Sequence, residues 1–465
     1  MTKSVENRRR LSPGQERLWF LQRFNAAAGV DGLYNEHVCV RFDGPLNLAA
    51  MYQAFDQIAR RHESLRWRIE EDGGACVAVA REEPFANCVR VIDLSELGDA
   101  AARERWCRHY ASKAARTPFD LATGPLFRVV LVRLSERDIA MSVVMHHIIT
   151  DTWSMQIVVE DACRAYRAMT SGEPDPAGDV DYGEASDTGP QSEDLERQGL
   201  AYWTATLANA PPPVTLPTHR ACPETRTFAG AKYYFSLRDE TVAPMRARMR
   251  EERVTAFALW LAIWKAYLGL GAGRRDLVVG ATTAARDGRA AERRIGYFAN
   301  TLAIRTTLDP AESFRRYLRD VRAAVLAALD HRQVPFERVV RALKLARSPN
   351  RHPLFEVFFV FVNAPVLDIV LPGVDVRLTP DHITLGLVKF DLALLCWQRG
   401  AAMEGLLEYS TELYDPPEIR AHIARFEAFA ALALAEPDRP IAELLPPERV
   451  PSDVVDDLRT VSFRA

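Results

Sequence analysis

Cysteine is scarce in this chain, and its spacing excludes the common architectures built on it. The seven cysteines are scattered and odd in number, and no two of them are separated by two residues. We therefore expect neither a disulfide framework nor a structural zinc cluster, and we predict no metal site. Reduced thiols of this kind favour a cytoplasmic protein.

Long runs of like charge or of apolar residues are also missing. The net charge is −3, and no basic stretch is present to bind nucleic acid. The most apolar segment, 256–270, is interrupted by Lys265 and is too short to span a bilayer comfortably, so we expect no membrane partner. Residues 1–10 are polar and basic with no apolar segment behind them, so no signal peptide is expected.

Size and patterning indicate two mixed α/β units. With 465 residues, of which 48% are hydrophobic and 26% charged, the chain is typical of a globular protein of more than one domain. Strands and helices alternate up to about residue 170 and again after 195. The Gly-, Pro- and Asp-rich stretch between them predicts an N-terminal unit over 1–175, a linker over 176–193 and a C-terminal unit over 194–465. Two such units side by side would leave a cleft between them.

The most informative segment is Met145-His-His-Ile-Ile-Thr-Asp-Thr-Trp153. The apolar residues before it predict a buried strand, and the spacing of apolar residues after it predicts a helix that begins at Asp151 or Thr152. This arrangement puts an imidazole beside the N-terminus of a helix, where a nucleophile could be held and a developing oxyanion stabilised.

Six further motifs occur along the chain, before and after this segment. They are Leu11-Ser-Pro-Gly-Gln-Glu-Arg-Leu-Trp19, Arg61-His-Glu-Ser-Leu-Arg66, Ile295-Gly-Tyr-Phe-Ala-Asn-Thr301, His331-Arg-Gln-Val-Pro-Phe-Glu337, Asn350-Arg-His-Pro-Leu-Phe355 and Lys389-Phe-Asp-Leu392. Together with the His-His-x-x-x-Asp spacing, they resemble the condensation domains of nonribosomal peptide synthetases, within the wider chloramphenicol acetyltransferase-like superfamily. The resemblance runs from residue 11 to about 415.

The resemblance implies an α/β fold with mixed sheets, in which two chloramphenicol acetyltransferase-like subdomains form a V-shaped pseudo-dimer with a central tunnel. It implies that His147 is the catalytic histidine and that His146 is mainly structural. It pairs Asp151 with Arg286 in a salt bridge that shapes the site, and it puts Asn300 near the tunnel. Alone, Asp151 reads more simply as a helix N-cap and Arg286 as a solvated surface arginine.

The implied reaction transfers an acyl or peptidyl group from the phosphopantetheine thioester of a carrier protein to an amine or a hydroxyl. A neutral imidazole can accept a hydrogen bond from such a nucleophile and orient it. The acceptor would be a small molecule or carrier-bound, chain release is one outcome, and the chain itself would bind no cofactor. Thr152 stands where the family usually has glycine, so it either caps the helix or narrows the tunnel.

Two alternatives stay open. One is an acyl-CoA-dependent His-His acyltransferase, or an epimerisation domain of the same fold. The other is a non-catalytic domain that recruits carriers. The chain has no adenylation domain and no carrier site of its own, so it is either free-standing, which we favour, or one domain cut from a larger synthetase. We expect a monomer.

Overall fold

The computed structural model of this chain describes residues 8–81, 88–172, 193–223, 225–237, 239–284, 286, 292–345, 351–362, 369–379, 385–399 and 402–445. The predicted linker at 176–193 lies almost entirely outside the described residues. Within them no single helix is long and apolar enough to cross a membrane. The helical segments 239–252 and 256–271 are long and apolar enough only when they are taken together, and the angle between them is 109°.

The first half of the chain builds most of a five-stranded mixed sheet. Its strands are β2 (Asn35–Asp43), β5 (Val89–Asp93), β6 (Phe127–Arg133), β7 (Asp138–His146) and β12 (Asp375–Leu378). They lie in the order β12-β2-β7-β6-β5; β5 and β6 are parallel, and the other neighbours are antiparallel. A smaller sheet consists of β1 (Arg8–Arg10), β3 (Trp67–Asp72) and β4 (Ala75–Ala80), in the order β1-β4-β3.

In the part of the first half that the structure describes, four helices accompany these sheets. They are α1 (Pro13–Ala27), α2 (Leu48–Arg61), α3 (Ala100–Arg116) and α4 (Thr152–Ser171). Helices α2 and α4 pack against each other and bury their apolar faces in the same core as strands β2, β6 and β7. Short 3₁₀ turns at Glu63–Arg66 and His147–Ile149 lead out of α2 and β7 respectively.

The second half builds a six-stranded mixed sheet. Its strands are β8 (Gly230–Leu237), β9 (Asp276–Ala284), β10 (Ala299–Thr307), β11 (Val357–Val362), β13 (Leu392–Arg399) and β14 (Ala402–Ser410). They lie in the order β10-β9-β11-β13-β14-β8. The helices of this half include α5 (Glu193–Thr206), α6 (Asp239–Val242), α7 (Met245–Glu252), α8 (Ala256–Gly271), α9 (Phe314–Asp330), α10 (Phe336–Ala342), α11 (Pro416–Ala435) and α12 (Ile441–Leu444).

Helix α8 is the centre of this second core. Every residue from Ala258 to Gly269 is buried, which explains why the segment is apolar all round. The exception in composition is Lys265, whose Nζ donates to the backbone carbonyls of Leu277 (3.0 Å) and Ile304 (2.7 Å). Burial lowers the pKa of Lys265 to about 7. The apolar segment is therefore a core helix, as predicted.

The mixed α/β class is confirmed, and the structure adds connections between the two sheets. Strand β12 comes from the C-terminal part of the chain, yet it pairs with β2 of the first sheet from Asp375↔Asp43 to Leu378↔Val40. A little further on, Ala229 bridges Leu387 just before β8 begins. The chain that follows, which includes Lys389, is thereby held between the two halves.

Candidate active site

His147 lies where the first sheet ends, in the 3₁₀ turn that joins β7 to α4. Its backbone N–H donates to the carbonyl oxygen of Tyr34 (2.8 Å), which extends the pairing of β7 with β2. The ring stands edge-on to Tyr297 with 5.2 Å between centroids. Its side chain is 20% exposed, so the imidazole is sheltered but reachable.

The tautomer of His147 is set by its neighbours. Nδ1 lies 2.8 Å from the carbonyl oxygen of Thr150, which can only accept, so Nδ1 carries the proton. The lone pair is therefore on Nε2. Burial lowers the pKa of His147 to about 4, and the positive charge of Lys389 lowers it further than Glu36 raises it. The ring is consequently neutral near pH 7, as a hydrogen-bond acceptor for a nucleophile must be.

His146 is fully buried and turned away from this position. Its Nδ1 accepts from the backbone N–H of Ile148 (3.1 Å), which leaves Nε2 to donate to Oε1 of Gln22 (3.4 Å). Burial lowers the pKa of His146 to about 3, so this ring is neutral as well. Both nitrogens brace the turn that carries His147.

Asp151 is the N-cap of α4 and accepts three hydrogen bonds. Its Oδ1 accepts from the backbone N–H of Ser154 (2.7 Å) and from Nη2 of Arg286 (2.8 Å), and Oδ2 accepts from the backbone N–H of Phe298 (3.1 Å). The side chains of Asp151 and Arg286 are 6% and 3% exposed. The structure therefore joins this pair and buries it, and the same carboxylate ties α4 to the chain just before β10.

Ser154 completes this connection, and sequence reasoning missed it. Its hydroxyl oxygen accepts from Nη2 of Arg286 (2.6 Å) and from the backbone N–H of Gly296 (3.1 Å), and it lies 2.8 Å from the carbonyl oxygen of Gly296. The sequence feature that could have predicted this role is the position of Ser154 three residues after the N-cap, where a side chain faces the preceding turn.

One N–H group of the expected oxyanion site at the helix N-terminus is occupied. The N–H group of Ser154 in the first turn is already taken by Asp151. Thr152 is exposed and is the first residue of α4, while Asp151 caps the helix, so the interpretation of Thr152 as the cap is wrong. A helical position needs no glycine conformation, which explains why threonine is tolerated there.

Asn300 braces a loop. Its Nδ2 donates to the carbonyl oxygens of Arg332 (2.7 Å) and Val334 (2.9 Å), and its Oδ1 accepts from the backbone N–H groups of Thr301 (2.8 Å) and Phe336 (3.2 Å). All four hydrogen-bonding positions of the amide are occupied. Asn300 therefore holds the motif His331–Glu337 against β10 and has no group left for a substrate.

Two charged residues beside His147 were not predicted as site residues. Oε1 of Glu36, from β2, lies 3.8 Å from Nε2 of His147. The same oxygen accepts a hydrogen bond from Nζ of Lys389 (2.5 Å), a residue of the Lys-Phe-Asp-Leu motif. Lys389 also lies 5.8 Å from the centroid of the Tyr34 ring. The available signal for Glu36 was only a carboxylate at the second position of strand β2.

This pair keeps its charges. Burial works against ionisation of Glu36, but the charge and the hydrogen bond of Lys389 outweigh it, and the pKa of Glu36 is lowered to about 2. Glu36 likewise outweighs burial at Lys389 and raises the pKa of that lysine. The imidazole of His147 thus faces a carboxylate that is anionic throughout the physiological range.

One group of side chains outside this site could hold a cation. Within the described residues, ligand atoms of His219, Asp415 and Glu418 lie within 4.8 Å of one another. Nδ1 of His219 lies 2.7 Å from Glu418, and Arg220 already pairs with Asp415. Both carboxylates there therefore already have a protein partner.

The architecture matches solved structures of nonribosomal peptide synthetase domains. A four-domain nonribosomal peptide synthetase superposes with a TM-score of 0.81 at 19% identity over 96% of this chain and 34% of that one. The teicoplanin X-domain, solved in complex with OxyB, gives 0.78 at 23% identity over 96% of both chains. At such identities the likeness shows the fold alone, and the fold is that of condensation domains.

Sequence comparison identifies the family. The model of the condensation domain matches residues 5–450. One of the proteins of the linear gramicidin synthase from Brevibacillus parabrevis is 34% identical over 441 residues, which are 93% of this chain and 6% of that protein. The chain belongs to the condensation-domain family, and it spans a small part of the length of the large synthetases that it resembles.

Proposed function

We propose that this chain transfers an acyl or peptidyl group from the phosphopantetheine thioester of a carrier protein to an amine or a hydroxyl. The donor would arrive on the carrier, and the acceptor would be either a small molecule or a second carrier-bound group. The observation that carries the proposal is the neutral imidazole of His147, with its proton fixed on Nδ1 and its lone pair on a sheltered but reachable Nε2.

The proposed step is a single acyl transfer. The nucleophile attacks the thioester carbonyl carbon, a carbon–nitrogen or carbon–oxygen bond forms, and the carbon–sulfur bond breaks. Nε2 of His147 accepts the proton that the nucleophile loses, and that proton ends on the departing phosphopantetheine sulfur. Because a neutral amine needs no full deprotonation before attack, orientation contributes a large part of the acceleration.

The Asp151–Arg286 pair has a positioning role in this proposal. It fixes the start of α4, and the turn that carries His147 precedes that start directly. We also propose that 1–175 and 194–465 are two acetyltransferase-like subdomains, and that the site lies where they meet. Contacts from Glu36 to Lys389 and from Ser154 to Gly296 support that position.

The remaining properties belong to the same proposal. A thioester delivered by a carrier supplies an activated acyl group, so the chain needs no resident cofactor. We propose a cytoplasmic monomer whose partner is an acyl or peptidyl carrier protein. Chain release onto a soluble acceptor is one form that the reaction can take.

The test is carrier unloading followed by intact-mass measurement. Carrier proteins loaded with a panel of acyl groups are incubated with the chain and a pool of amines and alcohols. We expect the acyl mass to leave the carrier and to appear on an acceptor. His147→Ala should remove this activity while the protein stays folded, and His109→Ala, at an exposed histidine of α3, is the matched control.

Each other outcome selects a different function. Turnover of acyl-CoA without a carrier would support the acyl-CoA-dependent alternative. Tight carrier binding with no unloading would support a recruiting domain. Wild-type rates in His147→Ala would refute the catalytic role of this residue.

A further inference from the structure

Glu36 has a position that the proposed reaction does not yet use. It follows Asn35, which pairs with His146 across β2 and β7, so its carboxylate emerges at the end of the strand pair that carries His147. Its side chain is 30% exposed, which leaves it as reachable as the imidazole. Lys389 occupies one side of Oε1. A carboxylate oxygen has further lone-pair directions, and one remains for a second donor.

Two hydrogen-bond acceptors therefore face each other. Nε2 of His147 has a lone pair and no proton, and Oε1 of Glu36 is anionic, yet the two atoms are only 3.8 Å apart. Consider a donor atom at ordinary hydrogen-bond distance from both acceptors. The angle at that atom between the directions to Nε2 and to Oε1 is about 80°. The angle between two N–H bonds of an amine is near enough to this for both hydrogen bonds to stay within the favourable range above about 150°.

We propose that Glu36 is a specificity-determining residue that, with His147, binds the two N–H groups of a primary amine nucleophile and so favours amide over ester formation. This inference rests on the proposed function and names the acceptor class that it leaves open. The amine donates one hydrogen to Nε2 and the other to Oε1, and its lone pair then points away from both acceptors, toward the thioester carbonyl carbon.

The balance of the step is the same as for any aminolysis. The nitrogen lone pair forms the carbon–nitrogen bond, and the carbon–sulfur bond breaks. One N–H proton passes through Nε2 of His147 to the departing sulfur, and the other stays on the amide nitrogen. Glu36 remains ionised throughout, because Lys389 stays paired with it.

A hydroxyl nucleophile fits the same position poorly. It has one hydrogen, so a bond to Nε2 leaves an oxygen lone pair against the Glu36 carboxylate, and a bond to Glu36 leaves a lone pair against His147. An acceptor that is left without a donor in a sheltered site raises the free energy of the complex. The loss is about as large as the contribution of a hydrogen bond to a charged group. Sites built to bind a substrate N–H or O–H reject analogues that lack it for this reason.

The experiment is a competition between two acceptors that differ only in NH₂ and OH. L-alaninamide and L-lactamide are supplied together with whichever acyl-carrier donor is unloaded in the assay above. The ratio of amide to ester is measured by mass spectrometry and corrected for the fraction of neutral amine. A ratio is insensitive to how much of each variant is folded, so a purely structural role for the pair would not move it.

Two variants remove or weaken the contact between Glu36 and the nucleophile. Glu36→Leu combined with Lys389→Met replaces the pair by apolar side chains of similar size and leaves no unpaired charge. Glu36→Gln keeps the size of the side chain and removes its charge. It replaces the double variant in the test if that variant does not fold. Asp276→Asn is the matched control, because Asp276 pairs with Arg305 at the opposite end of β9 from Ala284.

We expect the double variant to lower the amide-to-ester ratio by about 10- to 100-fold, chiefly by slowing amide formation. Glu36→Gln should fall between it and the wild type, and Asp276→Asn should leave the ratio unchanged. A ratio that stays within about twofold in the double variant, with both products still formed, would overturn the role of Glu36 and leave the proposed function intact. No unloading by the wild type with any donor would overturn the proposed function, and this inference with it.

Discussion

Replacing Asp151 by alanine is the sharpest test of how the site is held together. The substitution removes the acceptor of three hydrogen bonds at once, from the backbone of Ser154, the backbone of Phe298 and the guanidinium of Arg286. It also leaves that guanidinium buried without its carboxylate. We therefore expect a stability defect far beyond that of losing a helix cap.

The magnitude follows from the two contributions. An N-cap replaced by alanine costs about 1 kcal/mol, and breaking a buried ion pair by removing one partner costs about 3–5 kcal/mol. The contributions share Oδ1, so they are not simply additive, and about 4 kcal/mol is the expectation for Asp151→Ala. For a unit of about 150–250 residues this corresponds to a fall in Tm of about 8–16 °C.

The assay is thermal unfolding followed by circular dichroism, with a matched cap as the control. Asp99 is the N-cap of α3 and accepts from Ala101 and Ala102, but it is exposed and holds no buried cation. Asp99→Ala should therefore cost only about 1 kcal/mol.

Removing Arg286 as well tests the origin of the defect. If the defect comes chiefly from the buried guanidinium that has lost its carboxylate, Asp151→Ala combined with Arg286→Met should be more stable than Asp151→Ala alone. A Tm for Asp151→Ala that is no lower than that of Asp99→Ala would refute the reasoning. It would mean that the buried pair does not stabilise the native state.

Three further predictions concern single side chains. Ser154→Ala leaves Arg286 one acceptor fewer and should cost about 1–3 kcal/mol, measured by urea unfolding. Since the pKa of His147 is lowered to about 4, a ¹³C-histidine NMR titration should find this ring neutral down to about pH 5, and Lys389→Met should raise that pKa toward 6.5. The pKa of Lys265 is lowered to about 7 from an unfolded value near 10.4, so the unfolded state binds more protons between those values and stability rises with pH. The difference in Tm between the wild type and Lys265→Met should therefore grow in favour of the wild type from pH 7 to pH 10, and a constant difference would contradict it.

The helices that sequence reasoning recovered are those with a strong apolar period or a recognisable cap. The spacing of apolar residues predicts helices over 48–61, 256–270 and 313–330. Helix α2 spans the first of these ranges, and α8 and α9 each differ from the prediction by one residue at one end. Most strands of the two main sheets were predicted, but with different ends. Strands β2 and β14 extend beyond the predicted 38–42 and 405–409, whereas the predictions over 126–134 and 355–362 were too long. Strand β5 was missed, and so was β12. Four exposed or half-buried residues have no periodic signal, and only the edge of β2 makes them a strand.

The candidate site divides in the same way. The histidine turn and Asp151 lie within seven residues of one another, so a local pattern could predict them, and the position of Arg286 came from the spacing of a familiar motif. Ser154 and Glu36 carried no such pattern. A polar residue near the start of a helix or a strand is interpreted as facing solvent unless its partner is known.

The partner of Glu36 lies 353 residues away in the sequence, and this distance explains why the charge environment of the imidazole could not be read in advance. The same lysine acts on both neighbours. It helps to keep His147 neutral, which a proton acceptor requires, and it keeps Glu36 ionised. Losing Lys389 alone should therefore bring the two acceptors closer to sharing a proton. A proton held between Nε2 and Oε1 would leave the nucleophile with one hydrogen-bond acceptor fewer. Lys389 therefore determines how many hydrogen bonds the site can accept from the nucleophile, although it contacts neither Nε2 nor the acyl group.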